Sequence, residues 1–269
     1  MKREWRLGTM GFSYADWSGP FYPPGLKPGE YLEFYARHFN AVELDTTFHA
    51  TPPPERVRRW AEVTPDNFRF AVKAPRTVTH DLPLGKATEP MLEFLDVMKQ
   101  FGEKLAVVLL QFPPGFSSKS FDALGAFLKT IPPAVKLAVE FRHESWWADD
   151  ARERTAQMLA EHEVCWASAE YVAEPRDVRP TADFLYVRWI GEHGRIAVMS
   201  QVQVDVTARL QWWKNRLTDF ALGSLPVYGF FNNDFSGYAI ETCNQFKAML
   251  GMSTEPKPGT GATLFDDVS

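Results

Sequence analysis

The sequence predicts an α/β protein: a (β/α)8, TIM-barrel-like single domain over residues 1–250, followed by a short disordered tail over residues 251–269. Eight short apolar runs alternate with segments of helical periodicity, which over about 250 residues is the count expected of a (β/α)8 barrel. The runs are apolar almost throughout, which indicates strands covered on both faces. With 269 residues, 45% of them hydrophobic, the chain can bury one large core.

Each predicted strand is bounded by polar or turn residues, and each predicted helix repeats apolar residues with a helical period. Aromatic residues of segment 31–39 share one helical face, and the helix at 57–61 follows a proline-rich start. The helix at 121–128 stops before Pro132 and Pro133. The predicted strands are residues 6–10, 41–44, 69–72, 105–110, 136–139, 164–167, 184–189 and 227–231, and the predicted helices are residues 31–39, 57–61, 91–98, 121–128, 154–162, 204–222 and 237–250.

The connection between the sixth and seventh strands is the weakest part of this pattern. Segment 171–182 holds two prolines and little periodicity. A doubly wound open sheet is the alternative fold, but no Gly-x-Gly-x-x-Gly turn follows the first strand. The final residues, 251–269, are rich in Gly, Pro, Thr and Asp, a composition typical of a flexible tail.

Composition narrows the function classes. The formal net charge of −5 and pI near 5.7 give no global attraction to nucleic acid or to an anionic membrane. The two cysteines, Cys165 and Cys243, stand in separate apolar segments, which favours buried thiols in a reducing compartment. The longest apolar run, 105–110, is too short to cross a bilayer. We therefore expect a cytoplasmic protein that neither spans a membrane nor coats nucleic acid.

Polar side chains follow nearly every predicted strand. In a barrel the carboxyl ends of the strands meet at one mouth, so these side chains should converge there. Charged groups on rigid strands are costly to bury unless they pair with one another or await a ligand. A structural ion pair of Lys73 with Glu43 or Glu140 is one alternative. The candidate site residues are Tyr14, Asp16, Glu43, Lys73, His80, Gln111, Glu140, Arg142, His143, Trp146, Arg188, Asn232, Asn233 and Asp234.

These residue types predict acid/base chemistry on a small anionic metabolite, either sugar-like or phosphorylated, by isomerisation or hydrolysis. Lys73, Arg142 and Arg188 carry the charge that phosphate or carboxylate oxygens require. Glu140 or Glu43 is the candidate general base, with His80 or His143 as the acid partner. Trp146 either stacks on the substrate or caps a helix, and His80 is either an acid/base or an ordinary surface imidazole. The substrate-binding candidates are Lys73, Gln111, Arg142, Trp146, Arg188, Asn232, Asn233, Asp234, Tyr14 and Asp16.

The strand ends also carry motifs that resemble those of the DUF72 (YecE-like) family. The resemblance runs in order over residues 5–250 and implies a TIM-barrel-like fold with a strand-end pocket, but no established activity. At Ile190 this chain lacks a histidine that the family usually has, which weakens histidine-dependent chemistry at that strand end. The motifs are GTMGFSYADWSGPFYP from Gly8, ELDTTF from Glu43, FAVKAP from Phe70, QFPP from Gln111, EFRHESW from Glu140, YVR from Tyr186 and FNND from Phe231.

Two other functions remain open. The first is a metal-dependent phosphodiesterase resembling endonucleases that act on damaged DNA, with one divalent cation held by Glu43, Glu140, His143 and Asp234. The cationic strand ends disfavour a cluster of several metals, and no cofactor is predicted. The second is a non-catalytic binding module. The tail residues Leu264 and Phe265 resemble part of a peptide that docks on the sliding clamp, although the usual leading Gln is missing.

Overall fold

The computed structural model describes residues 3–171, 175–219 and 222–254. The strands in these ranges are all parallel, and they form one sheet of four strands and one of five. The α/β class predicted from the apolar runs is confirmed, and the ends of the eight predicted strands are shifted by at most two residues. The described residues also form a ninth strand, Ser168–Tyr171, that the sequence did not predict, and the strands lie in two sheets rather than in the single closed sheet of a (β/α)8 barrel. The strands are β1 (Trp5–Thr9), β2 (Ala41–Leu44), β3 (Arg69–Lys73), β4 (Leu105–Gln111), β5 (Leu137–Glu140), β6 (Cys165–Trp166), β7 (Ser168–Tyr171), β8 (Leu185–Gly191) and β9 (Val227–Phe231).

The two sheets lie next to each other at both edges. Their strand orders are β1-β9-β8-β7 and β2-β3-β4-β5-β6. At one edge Met10 and Glu43 form an isolated parallel bridge, and the Gly11 amide donates to the Glu43 carbonyl at 2.7 Å. At the other edge only Ala167 separates β6 from β7. A Cβ on Gly8 would lie 1.9 Å from the Ala41 carbonyl oxygen, so glycine is required where β1 approaches β2.

Side-chain alternation along the strands sorts the residues into an interior set and an outer set. Residues of both sheets, among them Ala41, Ala71, Ala138 and Tyr186, pack into one interior apolar cluster. Their strand neighbours, such as Val42, belong to a second cluster with the helices. Because side chains alternate with a period of two, the position two residues after an interior apolar residue also faces the interior. Near the carboxyl ends of five strands these positions are Glu43, Lys73, Gln111, Glu140 and Arg188.

All of the predicted helices form, and the structure adds a short α-helix, Thr46–His49, that the sequence did not predict. The connection from β7 to β8 contains no helix in its described part, residues 175–184, as the weak pattern there indicated. The helix predicted at 154–162 begins earlier, and a π-helical turn at Thr77–Asp81 carries His80 after β3. The helices are α1 (Tyr31–His38), α2 (Thr46–His49), α3 (Pro54–Glu62), α4 (Thr88–Met98), α5 (Phe121–Leu128), α6 (Asp149–Glu161), α7 (Thr207–Leu217) and α8 (Ala239–Met249).

Two further predictions concern membrane-spanning segments and the C-terminal tail. Within the part of the chain that the structure describes, no helix is long and apolar enough to cross a membrane. The predicted tail at 251–269 falls mostly outside the described residues, and so do Leu264 and Phe265. Those predictions stay untested.

Candidate functional site

An arginine with two glutamates forms the centre of the strand-end layer. The Arg188 guanidinium donates to Glu43 through Nε (3.0 Å to Oε2) and Nη2 (2.7 Å to Oε1). Its third nitrogen, Nη1, donates to Glu140 Oε2 at 2.6 Å. The Tyr186 hydroxyl donates to Glu43 Oε2 at 2.7 Å. All four side chains are buried, so Arg188 holds the two glutamates in place from within the protein.

Two further charged groups lie on the solvent side of this centre. Arg142 Nε donates to Glu140 Oε1 at 2.8 Å, and its guanidinium covers the Tyr171 ring at 4.7 Å from the centroid. Asp45 Oδ1 lies 3.5 Å from Arg188 Nη2. The Arg142 side chain is 14% exposed and that of Asp45 is 35% exposed. A molecule in the mouth therefore meets Arg142 and Asp45 before it meets the buried centre.

Lys73 is a cation without a carboxylate contact. Its Nζ lies 3.9 Å from the centroid of the Phe48 ring, and among the described residues no carboxylate oxygen comes within ion-pair distance of it. The structural ion pair with Glu43 or Glu140 is thus absent as a direct contact. Burial lowers the pKa of Lys73, and Arg188 lowers it further, while Asp45, Glu140 and Glu43 partly offset both effects. Lys73 is a half-buried cation that can accept an anion from solvent.

The two central glutamates have pKa values that diverge. Burial raises the pKa of Glu43 to about 7, because it outweighs the attraction of Arg188 and because Asp45 adds repulsion. Burial would also raise the pKa of Glu140, but Arg188 and Arg142 together outweigh it and hold that pKa at about 2. Two neighbouring carboxyls with such different pKa values are suited to different tasks. Glu140 is a fixed anion, and Glu43 exchanges a proton near neutral pH.

Asp45 connects the buried Glu43 to the mouth. The Asp45 carboxyl lies close enough to raise the pKa of Glu43. Because Glu43 is buried and Asp45 is partly exposed, Asp45 lies between Glu43 and solvent.

Tyr14 and Asn232 both contact Met10, and Asn232 Nδ2 donates to Met10 Sδ at 3.6 Å. The Tyr14 hydroxyl donates to the Met10 carbonyl at 2.6 Å. Burial raises its pKa far above the ordinary value, and Asp45, Glu43 and Asp234 raise it further. Tyr14 is therefore a neutral hydroxyl surrounded by carboxylates, suited to orienting a ligand rather than to losing a proton.

Two predicted substrate-binding residues serve packing instead. Gln111 is buried and its Nε2 donates to the Phe112 carbonyl at 2.5 Å. Trp146 has no exposed surface; it stacks between Phe116 and Phe141, and its Nε1 donates to the Phe116 carbonyl at 2.7 Å. Both side chains are buried and donate to a backbone carbonyl, and for Trp146 the helix-start alternative is the better description.

The two predicted acid partners are also placed differently from the prediction. Burial, together with Lys73 and Arg76, lowers the pKa of His80 to about 4, so this imidazole is neutral near pH 7 and a poor general acid. His143 Nδ1 accepts a hydrogen bond from the Ser145 amide at 3.1 Å. It therefore caps the short turn at Glu144–Trp146.

Three other candidates organise the loops around the mouth. Asn233 is buried and its Oδ1 accepts from the Ala239 amide at 3.0 Å, at the start of α8. Asp16 is exposed and its Oδ2 accepts from the Met199 amide at 2.7 Å. Asp234 Oδ2 pairs with Nδ1 of His193 at 2.7 Å. Asn233 and Asp16 hold backbone segments, whereas Asp234 holds an imidazole.

Sequence reasoning missed two polar residues of the mouth, Asp45 and His193. Asp45 could have been found, since it follows Glu43 by two residues and alternation carries it to the same side of the strand end. His193 has no comparable signal in the sequence, because its partner Asp234 lies 41 residues away.

The site offers little to a metal ion. In the described ranges, no three His, Cys, Asp or Glu residues lie close enough together to hold one. Both oxygens of Glu43 and both of Glu140 already accept hydrogen bonds from Arg188, Arg142 or Tyr186. The donor set expected for a single divalent cation, which included these two glutamates, is not assembled.

A family model described as "Protein of unknown function DUF72" matches residues 6–262 of the chain. The chain belongs to the DUF72 family. The UPF0759 protein YecE of Escherichia coli K12 is 40% identical over 124 residues, which span 46% of this chain and 46%, about half, of that protein. The UPF0759 protein YunF of Bacillus subtilis 168 is 28% identical over 270 residues, which cover 91% of this chain and 94% of that protein.

Solved DUF72 structures have the same fold. A DUF72 family protein of Thermotoga maritima MSB8 superposes with a TM-score of 0.75 at 28% identity, covering 92% of this chain and 99% of that one. A second, from Enterococcus faecalis V583, gives a TM-score of 0.73 at 20% identity over 93% of this chain and 99% of that one, a likeness of fold alone. The names of these relatives do not state an activity.

The central network of the mouth is built from DUF72 motifs. Glu43 comes from ELDTTF, Lys73 from FAVKAP, Glu140 and Arg142 from EFRHESW, and Arg188 from YVR. The resemblance found in the sequence is confirmed by the family match, and the structure brings these five motif residues together in one layer.

Proposed function

We propose that this DUF72 protein is an enzyme that binds a small anionic metabolite, sugar-like or phosphorylated, and transfers protons through Glu43 and Asp45. One observation carries the proposal: Lys73, a half-buried cation with no carboxylate contact among the described residues, shares a mouth with a carboxyl pair whose buried member has a pKa of about 7. An unpaired cation beside a group that exchanges protons near neutral pH is typical of a catalytic site.

In this proposal the two sheets form one barrel-like wall around the mouth. The Met10–Glu43 bridge and the single residue between β6 and β7 support it, and so does the interior cluster that both sheets share. In such a wall the strand ends form a rigid rim, which is the usual location of catalytic groups in parallel α/β barrels.

The cations of the mouth have separate tasks in this proposal. Lys73 attracts and holds the anionic group of the ligand, with Arg142 on the neighbouring rim. Arg188 is buried and each of its three guanidinium nitrogens donates to a glutamate, so it fixes the orientation of the glutamates instead of binding the ligand. Catalysis gains from groups that are positioned before the substrate binds. By hydrogen-bonding both Glu43 and Glu140, Arg188 holds them in position in advance.

Proton transfer falls to the Asp45–Glu43 pair. Asp45 is the member that a ligand can touch, and Glu43 is the buried member that stores or supplies the proton. Proton abstraction with isomerisation and hydrolysis of an activated bond both fit this arrangement. The metal-dependent phosphodiesterase is less well supported, because the oxygens of Glu43 and Glu140 that would ligate the cation are occupied by guanidinium donors.

A thermal-shift screen of anionic metabolites tests this proposal. We expect phosphorylated or carboxylated compounds to raise the melting temperature of the wild type and of the matched control Lys119→Met, which removes an exposed lysine, but not of Lys73→Met. A bound compound should be turned over by the wild type and retained without turnover by Asp45→Asn. Binding that survives in Lys73→Met would contradict the anion site, and binding without any turnover would indicate a ligand-binding module.

A further inference from the structure

A histidine and an aspartate form a second hydrogen-bonded pair at the edge of the mouth. His193 Nδ1 lies 2.7 Å from Asp234 Oδ2; the Asp234 side chain is 10% exposed and that of His193 is 52% exposed. Asp234 is itself held, because its amide donates to Asn232 Oδ1 at 2.9 Å. The carboxylate is thus fixed at the end of β9, and the imidazole is accessible from solvent.

The backbone is shaped to bring this pair together. Gly191, the last residue of β8, has φ of 79°, in the left-handed region that favours glycine. A Cβ at this position would lie 2.3 Å from the Asp234 carbonyl oxygen and 2.6 Å from Phe235 Cα. Only glycine therefore lets the chain leaving β8 lie directly against the turn after β9, which places His193 beside Asp234.

The pair borders the same space as the Glu43–Asp45 pair. Asn232, whose Oδ1 accepts from the Asp234 amide, places its Nδ2 3.6 Å from Met10 Sδ, and Arg188 Nη2 lies 3.6 Å from the same sulfur. Asp234, Asp45 and Glu43 also all raise the pKa of Tyr14, after the larger effect of its burial. On the other side, the His193 ring lies 6.0 Å from the ring of Tyr171, which Arg142 covers. The imidazole therefore stands at the rim between Tyr171 and Asp234.

The hydrogen bond to Asp234 decides what the imidazole can do. A neutral histidine whose Nδ1–H donates to a carboxylate has an unprotonated Nε2, and the carboxylate stabilises the imidazolium once Nε2 has taken a proton. Nothing that the structure describes hydrogen-bonds to Nε2 of His193. The other rim histidines lack this arrangement: Nδ1 of His80 contacts Thr79, and Nδ1 of His143 caps a turn.

We propose that His193, oriented by Asp234, is a second proton-transfer group of the mouth, opposite in role to the Glu43–Asp45 pair. This inference rests on the proposed function. In the forward step Nε2 takes a proton from the substrate, while the carboxyl pair gives its shared proton to a substrate oxygen. The substrate gains one proton and loses one. When Nε2 then gives its proton to a neighbouring substrate atom and the carboxyl pair takes one from a second substrate oxygen, both groups are restored and the substrate has been isomerised. Asp234 is the positioning residue, and His193 is the group that would touch the substrate.

Nitrogen NMR of the full chain labelled with ¹⁵N-histidine tests the pair without requiring a substrate. Two-bond proton–nitrogen correlations distinguish the tautomers of the six histidines, and His193→Gln assigns the relevant signals. At alkaline pH we expect His193 to be protonated mainly on Nδ1, and Asp234→Asn to reduce the ratio of the two tautomers about three- to tenfold. A predominantly Nε2-protonated His193, or a ratio unchanged in Asp234→Asn, would overturn the proposal.

Thermal unfolding separates a chemical role from a structural one. Because His193 is half exposed, His193→Gln should melt within about 1 °C of the wild type. A loss of several degrees would show that the pair is a clamp between the β8 and β9 loops, and the proposal would fail.

Titration with inorganic phosphate distinguishes this inference from the proposed function. We expect phosphate to move the signals of both His80, next to Lys73, and His193 in the wild type, and neither in Lys73→Met. If phosphate moves His80 alone, His193 lies outside the anion site and only this inference is overturned. If it moves neither signal in the wild type, the proposed anion site fails, and the role of His193 fails with it.

Discussion

Two clusters of buried charge, one in the helix layer and one at the mouth, are built on opposite principles. In the helix layer, Glu170 Oε1 accepts from Arg209 at 2.8 Å and from Arg176 at 2.7 Å, and its Oε2 accepts from Trp213 Nε1 at 2.6 Å. One buried carboxylate is surrounded by donors, and the two arginines reach solvent with side chains 32% and 41% exposed. Such a cluster is complete without any ligand.

At the mouth the carboxyls around the buried centre outnumber its buried cation, the opposite of the helix-layer cluster. One buried guanidinium, that of Arg188, is shared by three carboxyls, and Lys73 contacts a ring rather than a carboxylate. Asp45 Oδ1 and Asp234 Oδ1 are buried and have no hydrogen-bond partner within the described segments. The ligand proposed above would supply partners for these oxygens and for Lys73. Mutations in the helix layer should therefore change stability, and mutations at the mouth should change ligand binding.

Removing Arg188 should cause the largest loss of stability among these variants. Arg188→Met leaves Glu43 and Glu140 buried without their shared cation, so we expect a loss of about 3–5 kcal/mol in the free energy of unfolding. Urea unfolding followed by circular dichroism measures it. The double variant Arg188→Met, Glu43→Gln should recover part of the loss, because one of the stranded charges is removed. A single variant as stable as the wild type would show that Arg188 does not hold the centre.

The pH dependence of stability should reveal the raised pKa of Glu43. Its folded pKa of about 7 exceeds the ordinary value of 4.5, so the folded state binds more protons between these two values. Stability from Glu43 therefore falls as pH rises through that window, by up to about 3 kcal/mol. Urea unfolding at about pH 5 and pH 8 should show this decline in the wild type and a smaller one in Glu43→Gln. Identical slopes in both proteins would refute the raised pKa.

Glu140 should give the opposite slope at lower pH. The folded pKa of Glu140, about 2, lies below the ordinary value of 4.5. Its contribution to stability is therefore fully present above pH 4.5 and is lost as pH falls towards 2. Acid unfolding of Glu140→Gln should therefore depend less steeply on pH than that of the wild type. The contrast between the two variants separates the fixed anion from the proton-exchanging group.

Glu170→Gln tests whether the helix-layer cluster affects stability without affecting phosphate binding. The amide cannot accept from two arginines and an indole as the carboxylate does, so we expect a loss of about 1–3 kcal/mol in stability. The phosphate-induced thermal shift of this variant should equal that of the wild type. A weakened phosphate response would mean that the helix-layer cluster also serves the site.

Lys73→Met should have the smallest effect on stability. The side chain has no carboxylate contact to lose, so the free energy of unfolding should change by less than about 1 kcal/mol in either direction. Differential scanning calorimetry of this variant beside Lys119→Met gives the comparison. A large loss of stability would instead place Lys73 in a structural network.

The sequence predicted the central layer well because that layer depends on local rules. The apolar runs located the strand ends, and alternation with a period of two brings Glu43, Lys73, Glu140 and Arg188 to one side. The same rule selected Gln111, yet its amide turns back to a neighbouring carbonyl, a detail of rotamer choice that no pattern contains.

Side chains placed by tertiary contacts could not be predicted in this way. The aromatic stack that buries Trp146 involves Phe116, 30 residues away in the chain. His193 reaches Asp234 only because Gly191 takes a left-handed conformation against a distant turn. Contacts of this kind depend on how loops pack together, which the periodicity of individual segments does not report.

The protonation of Lys73 tests the central claim most directly. Carbon NMR of the protein labelled with ¹³C-lysine, assigned with Lys73→Arg, follows the titration of the amine with and without inorganic phosphate. If the mouth is an anion site awaiting its ligand, the pKa of Lys73 lies below that of an ordinary lysine and rises when phosphate binds. A pKa at or above the ordinary value that ignores phosphate would show that Lys73 already has its anion within the protein, and would contradict the account.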